Sequence, residues 1–271
     1  MADLIESVGQ LLREAAATVV LPSFQHLAED EVEEKAPGEL VTVADRRAEE
    51  VIAAGLRALL PDSVVVGEEG VAADPSILGR LHDAGPVWIV DPIDGTGNFA
   101  AGKGPFAVMA ALIRDGAPVA AWILDPLTDS IAVAEAGSGA YVDGVRAAFP
   151  GNGLGTDELR GAAMTRFLPP PLRAAVRRGT PTLSEVLPGQ HCAGKEYVDL
   201  VTGRQHFVLF WRTLPWDHVP GVLLAQETGG VARRLDGGAY DPTDDRRGLL
   251  VAANDAIWVQ VHDALLPDGV R

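Results

Sequence analysis

Asp91 and Asp94 stand three residues apart, directly after the apolar run Val87-Trp88-Ile89-Val90. That run reads as a buried strand, so the two carboxylates fall at a strand end, beside the turn residues Gly95 and Thr96. Such an oxygen donor set suits a hard divalent cation, above all Mg²⁺, which keeps waters and substrate phosphate oxygens in its shell. The stretch Gly95-Thr96-Gly97-Asn98 offers exposed backbone N–H groups to an anion. A carboxylate–metal site beside a phosphate cradle is, in outline, a site for a phosphate ester.

Three more acidic residues stand where a regular element starts or stops: Asp45, Glu68 and Asp217. Open α/β folds gather their ligands at such ends. Each position also has a plain structural reading. Asp45 suits a helix N-cap, and Asp217 suits the first turn of a helix, where a negative charge is favoured. Glu68 and Glu69 suit a solvated loop, and Asp91-Pro92-Ile93-Asp94-Gly95 suits an Asx turn. Five separate coincidences are needed for the plain readings and one shared site for the other.

The elements that must deliver these residues follow from periodicity. Leu4, Ile5, Val8, Leu11, Leu12, Ala15, Ala16 and Val19 share one helical stripe that stops near Pro22. Residues 29–39 read as a loop or hairpin, and Leu40 to Val43 as a short strand. A helix from Asp45 carries Val51, Ile52, Leu56, Leu59 and Leu60 to Pro61. Ser63 to Val66 is a strand that leads into Gly67-Glu68-Glu69. Phe106 to Arg114, Val119 to Leu124, Ser130 to Ala136 and Gly139 to Gly144 form an antiparallel run, and residues 145–160 carry no clear pattern. Beyond them come a helix over Gly194 to Thr202, a strand over His206 to Phe210 and a helix from Asp217 to Thr228 closed by Gly229-Gly230. A strand over Leu249 to Ala252 and a last helix over Asp255 to Leu266 finish the chain. Layered α/β or α+β architecture follows.

The 271 residues are 47% hydrophobic, enough for one large core or two packed lobes. A formal charge of −16 argues against nucleic acid and against an anionic membrane surface. The one cysteine, Cys192, excludes an intrachain disulfide and a thiolate cluster. With no basic leader and no apolar stretch near the ~20 residues of a membrane span, the expectation is a cytoplasmic protein.

Trp88 to Phe99 resembles the signature of the inositol monophosphatase family. Gly67-Glu68-Glu69, Leu40 to Asp45 and Trp216 to Gly221 resemble that family's other motifs, in the same order along nearly the whole chain. The resemblance implies a layered αβαβα sandwich, commonly a homodimer, and Mg²⁺-dependent hydrolysis of small phosphorylated alcohols. It divides the chain into an N-terminal α+β lobe (1–150) with most metal ligands and a C-terminal α/β lobe (151–271) with Asp217 and the pocket wall. Glu68, Asp91 and the Ile93 carbonyl would hold one Mg²⁺; Asp91, Asp94 and Asp217 would hold a second. A third would sit near Glu68. Asp45 and Thr96, with Glu68, would serve the attacking water. Asp94, Gly95, Thr96, Cys192, Ala193 and Asp217 would meet the substrate. Two metal ions clamp the attacking and leaving oxygens of an in-line displacement.

Within the resemblance, inositol monophosphate leads as substrate, ahead of histidinol phosphate, nucleoside 3′,5′-bisphosphate and sugar phosphates, and inhibition by Li⁺ is implied. Two departures bear on the choice. His191-Cys192-Ala193-Gly194 replaces a Gly-Ser/Thr-Ala segment, and Phe210 replaces an acidic residue seven positions before Asp217. Phenylalanine cannot accept a hydrogen bond from a substrate hydroxyl. Lys195 reads as a solvated helix charge or as a contact to a second anionic group. Arg212 is close enough in sequence to Phe210 to face the pocket, and Pro220 is expected in a helix's first turn. Two other classes stay open. A haloacid-dehalogenase-like phosphatase would need its aspartates two apart. A phosphate-binding sensor would not need Asp45 and Thr96.

Overall fold

A computed structural model describes residues 1–36, 39–149 and 153–267. The helices are α1 (Ala2–Ala15), α2 (Leu21–Ser23), α3 (Val43–Leu59), α4 (Glu68–Ala73), α5 (Thr96–Ala100), α6 (Pro170–Gly179), α7 (Ala193–Val201), α8 (Pro215–Glu227) and α9 (Asp255–Leu265). A wide π turn, Ala16–Val20, carries α1 on into α2. Strands β1 (Val32–Ala36) and β2 (Glu39–Thr42) form a hairpin, which settles the loop-or-hairpin alternative for that segment.

A seven-stranded sheet runs β3 (Val64–Gly67), β4 (Val87–Asp94), β5 (Ala107–Arg114), β6 (Ala117–Asp125), β7 (Ser130–Glu135), β8 (Gly139–Val142) and β9 (Val145–Arg146) in spatial order. Only β3 and β4 are parallel to each other; every later pair is an antiparallel neighbour, as expected for that run. The second sheet holds β10 (Arg160–Ala163), β11 (Glu185–Leu187), β12 (Phe207–Phe210), β13 (Val231–Arg234) and β14 (Leu249–Ala252) in the order β11-β10-β12-β14-β13. Both sheets are covered on both faces, which is why their central strands read as unbroken apolar runs.

Side-chain alternation sorts the core into three seams. Trp88 and Val90 of β4 pack outward with Leu12 of α1 and Ile52 and Leu56 of α3. Val87 and Ile89, on the opposite face, join Tyr197 of α7, Val219 and Leu223 of α8, and Val208 and Phe210 of β12. Phe207 and Leu209 of β12 turn away, toward Val176 of α6 and Trp258 and Val261 of α9. The layer order is therefore helices, seven-stranded sheet, helices, five-stranded sheet, helices. The expected αβαβα sandwich is present.

The structure corrects several local expectations. β4 runs through Asp91 to Asp94, so Asp91 lies inside a strand. The pairing of β4 with β5 shifts register between these two aspartates. A bulge of this kind re-aims side chains at a sheet's end. Asp45 is not an N-cap: Thr42 caps α3, and Asp45, three residues on, completes the reciprocal box. Pro220 lies inside α8, past the first turn, where its nitrogen has no hydrogen to donate to the preceding turn. Glu68 and Glu69 open a short helix, α4, in place of a solvated loop.

Candidate active site

Three ends meet at one place: the bulged end of β4, the start of α7 and the start of α8. Asp91, Asp94 and Asp217 bring ligand oxygens within 4.8 Å of one another. Asp217 lies more than a hundred positions from Asp91 and Asp94 in sequence, and the middle helical layer joins them by packing α7 and α8 against the β4 sheet.

Asp91 and Asp94 are each held in a defined pose. Asp91 Oδ1 accepts from the Ile93 N–H at 3.1 Å. Asp94 is gripped by the start of α7: its Oδ1 accepts from Ala193 N at 3.0 Å, and its Oδ2 from Gly194 N at 2.6 Å and from the Cys192 thiol at 3.1 Å. Cys192 and Ala193, expected to meet substrate, do line the cavity. Their polar atoms, however, are engaged by Asp94. Burial and the neighbouring Asp94 raise the Cys192 pKa well above the ordinary thiol value, so it stays a neutral donor.

Glu68, at the start of α4, takes the Lys35 ammonium at 3.0 Å, and Glu69 takes the same ammonium at 2.6 Å. Lys35 sits on the hairpin, and sequence reasoning had not selected it. Glu49 was missed as well. Its Oε2 accepts from Glu69 N at 2.8 Å and its Oε1 from Gly70 N at 2.7 Å, which caps α4 from a neighbouring helix. A Cβ at position 67 would overlap the Glu49 carboxylate, so the glycine of Gly67-Glu68-Glu69 is what admits this cap. The available signal was the i, i+4 spacing of Asp45 and Glu49 on one face of α3.

Asp45 and Thr96 meet as expected. Asp45 is fully buried; its Oδ2 accepts from Thr42 N at 2.9 Å and Thr42 Oγ1 at 2.5 Å. Its Oδ1 lies 3.0 Å from Thr96 Oγ1, which is also 3.0 Å from the Ile93 carbonyl oxygen. Gly95 precedes α5 at φ +89°, a left-handed conformation that favours glycine. A Cβ there would press on the Pro105 and His191 carbonyl oxygens at 3.1 and 3.2 Å. Asn98 fixes this corner by donating to the Pro105 and Gln190 carbonyls at 2.8 and 2.9 Å.

The electrostatics are those of gathered anions. Burial, then Glu68, Asp94 and Asp217, push the Asp91 pKa far above the usual carboxylate range. Burial raises Asp94 too, against the pull of its three donors. Burial lifts Glu68 to about 8, with Lys35 pulling down and Asp217 and Glu69 pushing up. Asp45 is lifted to about 6, again chiefly by burial. Desolvated carboxylates crowded this closely call for a cation. The donors are all oxygen, and the one nearby sulfur is a neutral thiol, so the set fits a hard divalent ion such as Mg²⁺ and not a thiophilic metal.

A cavity of about 450 Å³ opens over this cluster, with Glu68, Ile93, Asp94, Gly95, Thr96 and Asp217 on its floor. Phe210, Trp211, Arg212 and His191 form part of the wall. Phe210 stacks on Tyr197 with ring centroids 5.3 Å apart and meets His218 edge-on at 4.6 Å. His218 is buried, and burial drives its pKa down to about 3. It is neutral: the Tyr197 hydroxyl lies 3.0 Å from Nδ1, and Nε2 lies 2.8 Å from the Arg212 carbonyl oxygen it donates to. Lys195 does not contact the pocket. It pairs with Asp199 one turn on, which supports the helix-charge reading.

The model of the inositol monophosphatase family matches residues 2–267. An inositol-1-monophosphatase from Mesorhizobium japonicum is 34% identical over 228 residues, covering 82% of this chain and 81% of that one. A Nus factor SuhB from Pseudomonas aeruginosa is 32% identical over 264 residues, covering 93% and 92%. The solved Thermotoga maritima IMPase superposes with a TM-score of 0.82 at 23% identity, covering 99% of this chain and all of that one, and so shares the fold. Sequence and architecture agree with the carboxylate geometry: the chain belongs to the inositol monophosphatase family, a family of metal-dependent phosphatases.

Proposed function

We propose that this protein is a Mg²⁺-dependent phosphomonoesterase of small phosphorylated alcohols, with inositol monophosphate as the first substrate to consider. One observation carries the reading: Thr96, hydrogen-bonded to buried Asp45, lines the same cavity as Asp94 and Asp217 of the carboxylate cluster. A site that merely bound phosphate would need the cluster but not that pair.

Glu68, Asp91 and the Ile93 carbonyl would hold one Mg²⁺, and Asp91, Asp94 and Asp217 a second; Glu68 would also face a third. Bound Mg²⁺ supplies Lewis-acid activation of water and offsets the charge of the phosphate. The chain's own part is positioning and proton transfer. Thr96 has one hydrogen to give. Donated to Asp45 Oδ1, it leaves the Thr96 lone pairs free to accept from a water and aim it at phosphorus. The Asp45 carboxyl, raised to about 6, is poised to receive a proton relayed through Thr96 near neutral pH. Asp94 stays aligned because the start of α7 holds both of its oxygens. The Gly95 to Gly97 backbone borders the same cavity, in reach of the phosphate.

The name of the Mesorhizobium relative favours inositol monophosphate. Phe210 favours a second reading, because the wall offers a ring edge where a carboxylate would accept from ring hydroxyls. Histidinol phosphate, nucleoside bisphosphates and sugar phosphates fall under it. The Pseudomonas relative is named a Nus factor; retention of the Asp45–Thr96 pair supports catalysis here. Cytoplasmic residence is supported by the single cysteine, a thiol. Homodimer assembly and Li⁺ inhibition rest on the family resemblance. Light scattering checks the first, and turnover in millimolar Li⁺ the second.

The test is phosphate release from inositol 1-phosphate, histidinol phosphate, adenosine 3′,5′-bisphosphate, fructose 1,6-bisphosphate and glycerol 2-phosphate, with and without Mg²⁺. Mg²⁺-dependent release from at least one is expected. Absence of release from all, in protein shown to bind Mg²⁺, would overturn the reading in favour of a binding role.

A further inference from the structure

His191 adopts a left-handed backbone conformation, φ +59°. A residue with a β-carbon rarely holds one, whereas glycine takes it freely. The other described non-glycine residues that share it have plain settings. Asp115, Asp129 and Asp143 occupy turns between neighbouring strands, where a short polar side chain is tolerated. Gln25 follows α2 and donates from its amide to the Gly102 carbonyl at 2.9 Å. Of these residues His191 alone lines the cavity over the carboxylate cluster.

The chain on both sides of His191 is locked. Gln190 donates its N–H to the buried Glu196 carboxylate at 2.6 Å and its side-chain amide to Asp199 at 2.9 Å; its carbonyl accepts from Asn98 at 2.9 Å. On the other side Cys192, Ala193 and Gly194 hold Asp94. The His191 carbonyl oxygen faces Gly95, where an added Cβ would come within 3.2 Å of it. An unfavourable backbone conformation persists where its surroundings over-determine it, and such places gather at ligand sites. Glycine would serve this backbone equally well, so what histidine adds is the ring. That ring is exposed, beside the Gly95–Thr96 corner, and has no hydrogen-bond partner among the described residues. Several neighbours on the wall are engaged or have nothing to offer. Asn98 donates to two carbonyls, Cys192 to Asp94 and His218 to the Arg212 carbonyl, and Phe210 has no hydrogen-bonding atom on its side chain. An imidazole presents two ring nitrogens to a hydroxyl.

From this we infer that His191 is a specificity-determining residue: its imidazole hydrogen-bonds a hydroxyl on the alcohol of the ester. The enzyme then favours phosphate esters whose alcohol carries a free hydroxyl close to the phosphate over plain alkyl phosphates. The inference rests on the reading above, in which the phosphate lies over the carboxylate cluster. It assigns to His191 a recognition that Phe210, on the wall, cannot supply.

The test separates binding from turnover by using probes that cannot be hydrolysed. Propylphosphonate and 2,3-dihydroxypropylphosphonate, together with cyclohexylphosphonate and its 2-hydroxy counterpart, are titrated calorimetrically into the Mg²⁺-loaded protein, and thermal unfolding is followed in parallel. At least one hydroxylated probe should bind about fivefold or more tightly than its plain partner, the scale of one hydrogen bond. His191→Gly should bring that ratio toward one while its melting temperature does not fall, because glycine accepts a left-handed conformation without strain. His191→Asn tolerates the same conformation and keeps a donor and an acceptor, so it should retain part of the preference. Equal binding within both pairs in the wild type, or a ratio unchanged in His191→Gly, would overturn the inference. So would a fall in affinity for both members of a pair by the same factor with a lower melting temperature, the mark of a ring that only packs the loop. A hydroxyl preference that depends on His191 in a protein that hydrolyses no phosphate ester would sustain the contact and remove the phosphatase reading. Hydrolysis with a preference indifferent to position 191 would do the reverse.

Discussion

Thr96 is the residue where position and chemistry separate most cleanly. It sits on a rigid corner, its hydroxyl between Asp45 and the Ile93 carbonyl, and it supplies none of the clustered carboxylate oxygens. Thr96→Ala should therefore lower kcat by about 10²–10⁴-fold, the range of a lost general acid–base contribution, with Mg²⁺ affinity preserved. Steady-state kinetics alongside Mg²⁺ calorimetry read the two effects apart; equal loss of both would make Thr96 structural. Asp91 behaves oppositely. Asp91→Asn keeps the shape and removes the charge at the centre of the cluster, so Mg²⁺-dependent release should vanish while the circular dichroism spectrum is retained. Wild-type-like turnover in that variant would refute its part in the metal site.

At the level of elements, the site is a consequence of how α7 and α8 pack. Gly221 of α8 lies against the ring of Tyr197 of α7, where an added Cβ would overlap the ring. Gly221→Ala should destabilise the fold by about 1–3 kcal/mol, the usual cost of overpacking. Because α7 grips Asp94 and α8 carries Asp217, it should also weaken Mg²⁺ binding. Chemical denaturation and calorimetry check both, and an unchanged unfolding midpoint would contradict this packing.

The elements also show what a sequence discloses. β4, α3, α8 and the antiparallel run were legible because their apolar periods are long and bounded by Gly, Pro or capping residues. α6 begins in a proline run with few apolar residues, and β10 is the four-residue Arg-Gly-Ala-Ala, so neither carried a period strong enough to read. Asp45, Glu68, Asp91, Asp94 and Asp217 were legible as a set because chemistry constrains residue type. The grip of Cys192 to Gly194 on Asp94, the Lys35 bridge and the Glu49 cap were not. Each is a contact between distant segments that exists only once the layers have closed, and each uses residues common on any protein surface.

At the scale of the whole molecule, several of the chain's carboxylates, Asp45 and Asp91 among them, lie where the fold removes water. Asp45, Glu68 and Asp91 all hold their protons more tightly in the metal-free folded chain than in the unfolded one. Linkage then fixes the sign. Their stabilising contribution is complete below the ordinary carboxylate values and is lost as pH rises through about 6 for Asp45 and about 8 for Glu68. EDTA-treated protein should melt at a lower temperature near pH 9 than near pH 5, and saturating Mg²⁺ should raise the melting temperature most at the higher pH, where the carboxylates are ionised. Thermal scans across that range decide it; a metal-free protein that gains stability with rising pH would show that the carboxylates are not crowded as described.

All of this depends on Asp91, Asp94 and Asp217 forming a divalent cation site. The most direct measurement is a calorimetric titration of Mg²⁺ into EDTA-stripped wild-type protein and into Asp91→Asn. Saturable binding in the wild type, lost or greatly weakened in the variant with the fold intact, is the predicted result. Equal binding by the two proteins, or none by either, would contradict the account.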